Sequence, residues 1–391
     1  MATRVYLHVG APKTGTSYLQ RMLWGNRQSL RRAGYLLPGS RAAHYQAMGD
    51  LRRGLWYSPD APWTWDRLVA ETRAWDGVAV ISEEMLGAAT QEEAERAVES
   101  FAPAEVHVVV AGRDLWRTIP SSWQQSVRSR SVGRFRDYVR AVQTNANPAF
   151  WEHQTPLPIL RRWASDLSPS HRHLVTVPPP GSEPSLLWSR FAGVLGVPEG
   201  VCHADDRPGN VSLGAAETEL LRRVNVALGD RYQLRSPYLR LINRHLVSPV
   251  LAPRERNGRF GASAEMADWV TTAAKRMVAE FDDFPCQVAG DLDDLVPRDL
   301  RASSSPDDLD EASMLHVAVE TIVGMLDHTR ELVDEMAVRE ARLHEQLEAT
   351  ERAAAGRRAE PGLMVRETRR AAAGVRRRLR RLRRTRSAEQ A

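Results

Sequence analysis

The chain has very few cysteines, and this shortage excludes two kinds of protein. Only Cys202 and Cys286 occur among its 391 residues. Two thiols cannot build the disulfide framework of a small secreted domain, and these two lack the neighbouring ligands of a cysteine zinc cluster. The cysteine content therefore predicts a protein of a reducing compartment.

Long apolar runs are missing as well. Although 42% of the residues are hydrophobic, no stretch approaches the roughly 18 consecutive apolar residues that cross a bilayer. The N-terminus passes directly into a short apolar strand pattern, with neither a leader-type apolar stretch nor a small-residue cleavage site. These absences predict an unexported, cytoplasmic protein.

Lysine is the third scarcity. Of the 54 basic residues, only Lys13 and Lys275 are lysines, and all others are arginines. Position 13 lies in a glycine-containing turn. A lysine kept there by a chain that otherwise uses arginine indicates a place where an ammonium is needed and a guanidinium does not fit.

The net charge of +5 comes from the C-terminal end of the chain. Residues 362–391 contain 11 arginines and two glutamates, whereas residues 1–361 have 43 basic and 47 acidic side chains. The Arg-rich tail, residues 359–391, could lie on an anionic membrane, which would place the protein at the inner membrane surface, or bind nucleic acid. A solvated tail is the alternative interpretation.

Short runs rich in valine and isoleucine alternate with helix-type patterns over most of the chain. Such β-branched runs, separated by helices, are typical of a parallel sheet covered on both faces. The sequence therefore predicts an α/β domain over residues 1–300, with a central parallel sheet flanked by helices. The predicted strands cover residues 4–10, 78–82, 106–111 and 173–177.

A different organisation is predicted beyond residue 300. Residues 301–311 are polar and rich in Ser and Asp, which indicates a linker. From Leu315 to Leu347, apolar residues then recur at alternating spacings of three and four. This spacing is the a/d pattern of a coiled coil, so it predicts a long helix over residues 312–358 and self-association through that helix.

The strongest local signal is a glycine turn between the first predicted strand and the following helix. Residues 10–17 read GAPKTGTS. In a Walker A loop the lysine directly follows the second glycine, but Thr16 occupies that position here and Lys13 precedes the glycine. The turn is therefore not an ATPase loop.

The turn nevertheless predicts an anion cradle. Backbone N–H groups at a helix N-terminus attract phosphate, and two hydroxyl groups add further donors. Lys13 can reach the bridging oxygen of a group that leaves from such a phosphate, where its ammonium stabilises charge developing in the transition state. The cradle residues are Thr14, Gly15, Thr16 and Ser17.

The PKTGTS turn after a strand resembles the phosphosulfate-binding loop of sulfotransferases that use 3'-phosphoadenosine 5'-phosphosulfate (PAPS). In that family an Arg at a strand end and a Ser eight residues later bind the 3'-phosphate. Arg113 follows the strand VHVVVAG, and Ser121 lies eight residues further on. The resemblance covers roughly residues 4–300 and implies the P-loop NTPase-like sulfotransferase fold, PAPS as co-substrate and transfer to an acceptor hydroxyl.

The resemblance also implies a general base and no metal. Family members use His or Glu as the base, and in the heparan-sulfate type the Glu follows a strand. Glu83 and Glu84 follow the strand at 78–82, and we favour Glu84 because it is third in a Ser-x-Glu pattern. A sulfuryl group has too little charge to need a metal clamp. The Arg-Lys-Gly segment of cytosolic members has no counterpart here.

Two other functions remain open beside transfer to a glycan, glycolipid or secondary metabolite. A nucleotide or small-molecule kinase would need a Walker lysine where Thr16 stands, together with carboxylates for magnesium. A non-catalytic scaffold with a degenerate nucleotide fold would act through the long helix and the basic tail. The aromatic-rich residues 44–65 either line an acceptor pocket or anchor a surface loop.

Overall fold

The computed structural model describes residues 2–54, 57–203, 213–232, 235–254, 261–298, 300 and 305–356. The chain divides into two compact units. The α/β unit comprises Met1–Leu239 and Glu255–Met314, and the helical unit comprises Arg240–Arg254 and Leu315–Ala391. The predicted Arg-rich tail at 359–391 and residues 301–304 of the predicted linker lie outside the described residues.

Six parallel strands form the sheet of the α/β unit. Their spatial order is β2-β3-β1-β4-β5-β6, and every neighbouring pair is parallel. The prediction of an α/β protein with a central parallel sheet is therefore confirmed. In chain order the strands are β1 (Arg4–His8), β2 (Tyr35–Leu36), β3 (Val78–Ser82), β4 (Glu105–Gly112), β5 (Arg172–Thr176) and β6 (Gln287–Ala289).

The two edge strands were not predicted. β2 has only two residues, which pair with Val78 and Ala79 of β3, and a strand this short contains no recognisable periodicity. β6 lies in a segment for which the sequence predicted no strand, and its one large apolar side chain, Val288, is 36% exposed. Both strands are defined by pairing with a neighbour, which a local pattern does not show.

Helices cover both faces of the sheet. One face packs on the first helix and on the helix after β5, in a core that contains Tyr6, Val109, Leu23 and Phe191. The other face contacts the helix before β5. The helices are α1 (Thr16–Gly25), α2 (Arg27–Arg32), α3 (Arg41–Arg52), α4 (Trp65–Arg73), α5 (Gln91–Glu99), α6 (Leu115–Arg128), α7 (Phe135–Gln143), α8 (Pro148–Gln154), α9 (Pro156–Ala164), α10 (Leu186–Leu195), α11 (Ala215–Leu228), α12 (Arg235–Ile242), α13 (Ala267–Ala279) and α14 (Glu311–Gly356).

The chain after the glycine turn forms two helices, α1 and α2, which meet at Asn26. Its backbone leaves the helical region, with φ −103° and ψ 16°. The Asn26 side-chain amide donates a hydrogen bond to the carbonyl of Met22 at 2.9 Å. This local hydrogen bond competes with the helix ladder, as is typical of Asn, and ends α1 there.

The end of the predicted linker packs on the α/β unit. Pro306 is buried and opens a short 3-10 turn, Pro306–Asp308. The backbone N–H of Arg136 donates to Asp307 Oδ2 at 2.7 Å, and Glu311 pairs with Arg223 at 2.9 Å. The polar residues of this segment therefore form a hydrogen bond and an ion pair with other residues of the α/β unit.

In the helical unit, α14 packs against residues 240–254, which include a π-helix from Asn243 to Leu251. Val317 and Thr321 are buried on this side of α14. His245 and His328 share a hydrogen bond of 3.1 Å. Of the helices formed by the described residues, none combines the length and apolarity needed to cross a membrane.

Candidate active site

The three sequence signals meet at the carboxyl ends of three adjacent strands. β1 leads into the glycine turn, β3 ends immediately before Glu83, and β4 ends immediately before Arg113. β1 lies between β3 and β4. The strand order also reverses at β1, and such a switch point at the carboxyl edge is where open α/β sheets bind ligands.

The glycine turn is compact and internally bonded. Gly15 precedes α1 with a left-handed φ of 86°. A Cβ at that position would lie 2.6 Å from Leu187 Cδ2, so no larger residue fits without movement. The buried Thr14 hydroxyl donates to the Ala11 carbonyl at 2.6 Å. Thr14 can thus offer a ligand its backbone N–H, while its side chain holds the turn.

Lys13 is partly buried within this turn and adopts a left-handed φ of 66°. Its Nζ donates to Gln125 Oε1 of α6 at 2.7 Å. The pKa of Lys13 is lowered to about 8, mainly by burial and also by the charges of Arg128 and Arg113, against the opposing effect of Glu84. An anionic ligand beside Nζ would favour the ammonium and reverse this shift.

Arg113 connects the turn to α6. Its Nη1 donates to the Lys13 carbonyl at 3.0 Å and lies 3.4 Å from Ser121 Oγ. Its Nε is buried and has no hydrogen-bond partner among the described residues. Burial, followed by the charge of Arg117, lowers the pKa of Arg113 to about 10, against the effect of Asp114. The fold therefore brings Arg113, Ser121 and the glycine turn together.

The two glutamates after β3 have different surroundings. Glu84 is partly buried, and its Oε2 accepts a hydrogen bond from the Thr16 hydroxyl. Glu83 is buried, and its Oε1 accepts from the backbone N–H of Met85 at 3.1 Å. The pKa of Glu83 is raised to about 7, mainly by burial and also by the charge of Glu84, against the opposing effects of the Met85 hydrogen bond and Arg41. Only Glu84 contacts the glycine turn directly through its side chain.

The remaining cradle residues lie in the first turn of α1. Thr16 begins the helix and is buried, whereas Ser17 is partly buried beside it. Among the described residues, the backbone N–H groups of Thr16 and Ser17 have no carbonyl partner, whereas the N–H of Tyr18 donates to the Gly15 carbonyl at 2.9 Å. The first two are therefore available to an anion.

Sequence reasoning missed two residues of α6. Gln125 accepts the hydrogen bond of Lys13, and Arg128 lowers the pKa of Lys13 through its charge. Both lie on the helix face of Ser121, at four and seven residues from it. Listing the residues four and seven positions after Ser121, which share its helix face, would have identified both.

Two buried histidines contact Ser82, the last residue of β3. His8 Nδ1 lies 2.8 Å from Ser82 Oγ, and the backbone N–H of Ser82 donates to His44 Nδ1 at 3.3 Å. Burial lowers the pKa of each to about 4, so both are neutral near pH 7. They fix the end of β3 from which Glu83 and Glu84 project.

The aromatic-rich residues 44–65 include packing residues as well as exposed ones. Trp65 is buried at the start of α4, and its Nε1 donates to Ser100 Oγ at 3.0 Å. Tyr45 and Tyr57 are 41% and 42% exposed. Trp56 lies outside the described residues. Trp65 therefore packs in the interior, whereas Tyr45 and Tyr57 lie at the surface.

Comparisons with protein-family models, with curated proteins and with solved structures found no match to this chain. The functional conclusion therefore depends on the arrangement and chemistry of the residues described above.

Proposed function

We propose that this protein is a PAPS-dependent sulfotransferase that acts on a hydroxyl of a glycan, glycolipid or secondary metabolite. The observation that carries the proposal is a cluster of positive charge at one glycine turn. The charges of Arg113 and Arg128 lower the pKa of Lys13, and Arg113 Nη1 donates to the Lys13 carbonyl. Glu84 is the nearby carboxylate. Positive charge removed from water is costly unless it is compensated. PAPS would compensate it with a 5'-phosphosulfate and a 3'-phosphate.

In this proposal the 5'-phosphosulfate lies on the turn. The backbone N–H groups at the start of α1 bind the phosphate, and Lys13 Nζ approaches the oxygen that bridges phosphorus and sulfur. As the acceptor oxygen forms its bond to sulfur, the bond from sulfur to the bridging oxygen breaks in line. The acceptor proton passes to Glu84, and 3',5'-adenosine bisphosphate leaves.

The 3'-phosphate binds at Arg113 and Ser121. The buried Arg113 Nε has no hydrogen-bond partner in the described part of the chain and can donate to a phosphate oxygen. The Ser121 hydroxyl donates to the Arg117 carbonyl at 2.8 Å, so it must rotate to serve a phosphate. A pair that reads the 3'-phosphate would separate PAPS from ATP.

The kinase alternative fits these contacts less well. A Walker loop places its magnesium on the Ser or Thr after the lysine, which corresponds to Ser17 in this turn. Glu84 instead accepts a hydrogen bond from Thr16, the residue that replaces the Walker lysine. The carboxylate is thus placed beside the cradle in a position suited to a base.

Calorimetric titration of the purified protein with 3',5'-adenosine bisphosphate, ATP and 5'-AMP, all without metal, tests the donor. We expect the bisphosphate to bind at least about tenfold more tightly than 5'-AMP, because the 3'-phosphate adds charge-assisted hydrogen bonds. A preference for ATP would favour the kinase. Absence of binding by all three nucleotides would favour the scaffold. Either result overturns the proposal.

The identity of the base is tested by Glu84→Gln, with Glu83→Gln as its matched control. We expect Glu84→Gln to lower kcat by about 10²- to 10⁴-fold and to leave bisphosphate affinity nearly unchanged. Glu83 is buried and accepts its hydrogen bond from the backbone N–H of Met85, not from the glycine turn, so its amide should change kcat much less. A larger loss for Glu83→Gln would transfer the role to Glu83. Steady-state sulfation kinetics give both results.

Self-association through α14 belongs to the same proposal. The stripe formed by Leu315, Val319, Ile322 and Leu326 is 50% to 67% exposed. It follows the a/d spacing of a coiled coil, so a second copy of the chain, with the same stripe, is the partner that fits it.

The double substitution Ile322→Glu with Leu326→Glu should convert the assembly to monomers, because it places charges in the apolar seam. Val338→Glu is the control, because Val338 is 53% exposed on the same helix but lies outside the a/d stripe. Light scattering after gel filtration measures the mass. A monomeric wild type, or equal effects of both changes, would contradict the prediction.

A further inference from the structure

A second cluster of ionisable side chains lies at the amino edge of the sheet. Glu105 begins β4, and His107 follows two residues later on the same face of the strand. His171 ends the short 3-10 turn that leads into β5. Since β4 rises by about 3.3 Å per residue, this edge lies roughly 23 Å from Gly112 and the candidate active site.

The ligand atoms of these three residues converge. Glu105 Oε1 lies 2.8 Å from His171 Nε2 and 3.3 Å from His107 Nε2. One ligand atom from each side chain lies within 4.8 Å of the other two. Bonds of about 2.0 to 2.2 Å in a tetrahedral zinc site place ligand atoms roughly 3.3 Å apart. The 3.3 Å between Glu105 Oε1 and His107 Nε2 matches this spacing, whereas the 2.8 Å to His171 Nε2 is shorter, so His171 must move to reach it.

The hydrogen-bonding of His107 leaves a lone pair for a metal. Its Nδ1 lies 2.8 Å from His173 Nε2, so one of these two nitrogens donates and the other accepts. When His107 Nδ1 is the donor, the neutral ring presents an unprotonated Nε2 to Glu105 and His171. That Nε2 is buried and lies 3.3 Å from Glu105 Oε1, but it makes no well-aligned hydrogen bond within the described ranges. A buried nitrogen that faces a carboxylate oxygen at this distance without a well-aligned hydrogen bond is suited to share a cation with it.

Neighbouring residues hold the cluster in position. Arg4 Nε donates to Glu105 Oε2 at 3.2 Å, which turns Oε1 towards the imidazoles. Tyr6 stacks on His107, with ring centroids 4.7 Å apart. Hydrogen bonds to the second atom of a ligating group and packing against its ring are typical supports of a metal site.

We propose that Glu105, His107 and His171 bind one zinc ion, through Glu105 Oε1 and the Nε2 atoms of both histidines, with water as the fourth ligand. Two nitrogens and one oxygen suit a borderline metal such as Zn²⁺ and not Mg²⁺ or Ca²⁺. The Glu105 and His171 side chains are 40% and 27% exposed, which leaves room for the water. The zinc would tie the start of β4 to the turn before β5.

The test uses the full-length protein after treatment with a chelator. We expect titration with Zn²⁺ to show one tight site per chain. At 100-fold excess over Kd, zinc should raise Tm by about 3 °C. Loading with Co²⁺ should give the absorption bands of a tetrahedral site. Affinity for 3',5'-adenosine bisphosphate should not change, because the two sites are far apart.

His171→Ala and Glu105→Gln should each weaken zinc binding by at least about tenfold. His316→Ala removes an exposed histidine of α14 and should have no effect. Circular dichroism of each metal-free variant checks that it is folded, and Glu105→Gln preserves shape if His171→Ala does not fold. A wild type that takes up no stoichiometric zinc, or folded variants with unchanged affinity, would overturn the proposal.

Discussion

Replacing Lys13 with alanine should lower kcat by about 10²- to 10³-fold and weaken binding of 3',5'-adenosine bisphosphate much less. The bridging oxygen gains charge only as its bond to sulfur breaks, so an ammonium beside it stabilises the transition state more than the ground state. The turn geometry supports this role, because Nζ is held by Gln125 at 2.7 Å. Steady-state kinetics and calorimetry on the same variant separate the two effects.

The only other lysine provides the control. Lys275 is exposed on α13, and Lys275→Ala should change neither kcat nor affinity. Equal losses of turnover and of bisphosphate affinity in Lys13→Ala would assign Lys13 to uniform binding and contradict its transition-state role.

The same residue sets an expected pH dependence. The pKa of Lys13 is lowered from 10.5 to about 8, so the free protein loses the ammonium as pH rises through about 8. Bisphosphate affinity should therefore fall above that pH, and this fall should be absent in Lys13→Arg, whose guanidinium remains charged. Because a bound anion favours the ammonium, the fall in kcat should come at a higher pH than the fall in affinity.

The sheet was predictable wherever its strands are buried on both faces. β1, β3, β4 and β5 are β-branched runs that read as strands without any knowledge of their neighbours. β2 and β6 exist because a neighbouring strand offers free hydrogen-bonding groups, and no local pattern encodes that pairing. The sequence therefore predicted the sheet's centre and missed its edges.

The candidate site was predictable where a short sequence motif defines it. A glycine turn between a strand and a helix, and an Arg and a Ser separated by eight residues, can be read directly. Glu83 and Glu84 could not be separated in this way. Glu83 is extended and caps the 3-10 turn that begins at Glu84, and no local pattern shows which of the two side chains faces the glycine turn. Choosing between them requires the position of Thr16.

The histidine cluster shows the same limit more clearly. Glu105 and His107 alternate along β4, and His171 and His173 alternate around the start of β5. Each pair is visible as a period of two. Their convergence depends on β4 and β5 being neighbours in parallel register, which only the topology reveals.

Replacing Arg113 with methionine should weaken binding of 3',5'-adenosine bisphosphate by about 10- to 150-fold, the range for losing hydrogen bonds to a charged group. Affinity for 5'-AMP should fall much less. Arg113 also donates to the Lys13 carbonyl at 3.0 Å, so the substitution will disturb the turn to some degree. The ratio of the two affinities cancels that disturbance, because both nucleotides place a 5'-phosphate on the turn.

Arg161→Met is the control, because it removes a guanidinium whose side chain is 45% exposed and lies 3.9 Å from Glu280. Its affinity ratio should equal that of the wild type. Ser121→Ala should lower the ratio by a smaller factor than Arg113→Met, since it removes a neutral donor. If folded Arg113→Met retained the full ratio, Arg128 would become the candidate reader of the 3'-phosphate, and the pairing of Arg113 with Ser121 would be structural.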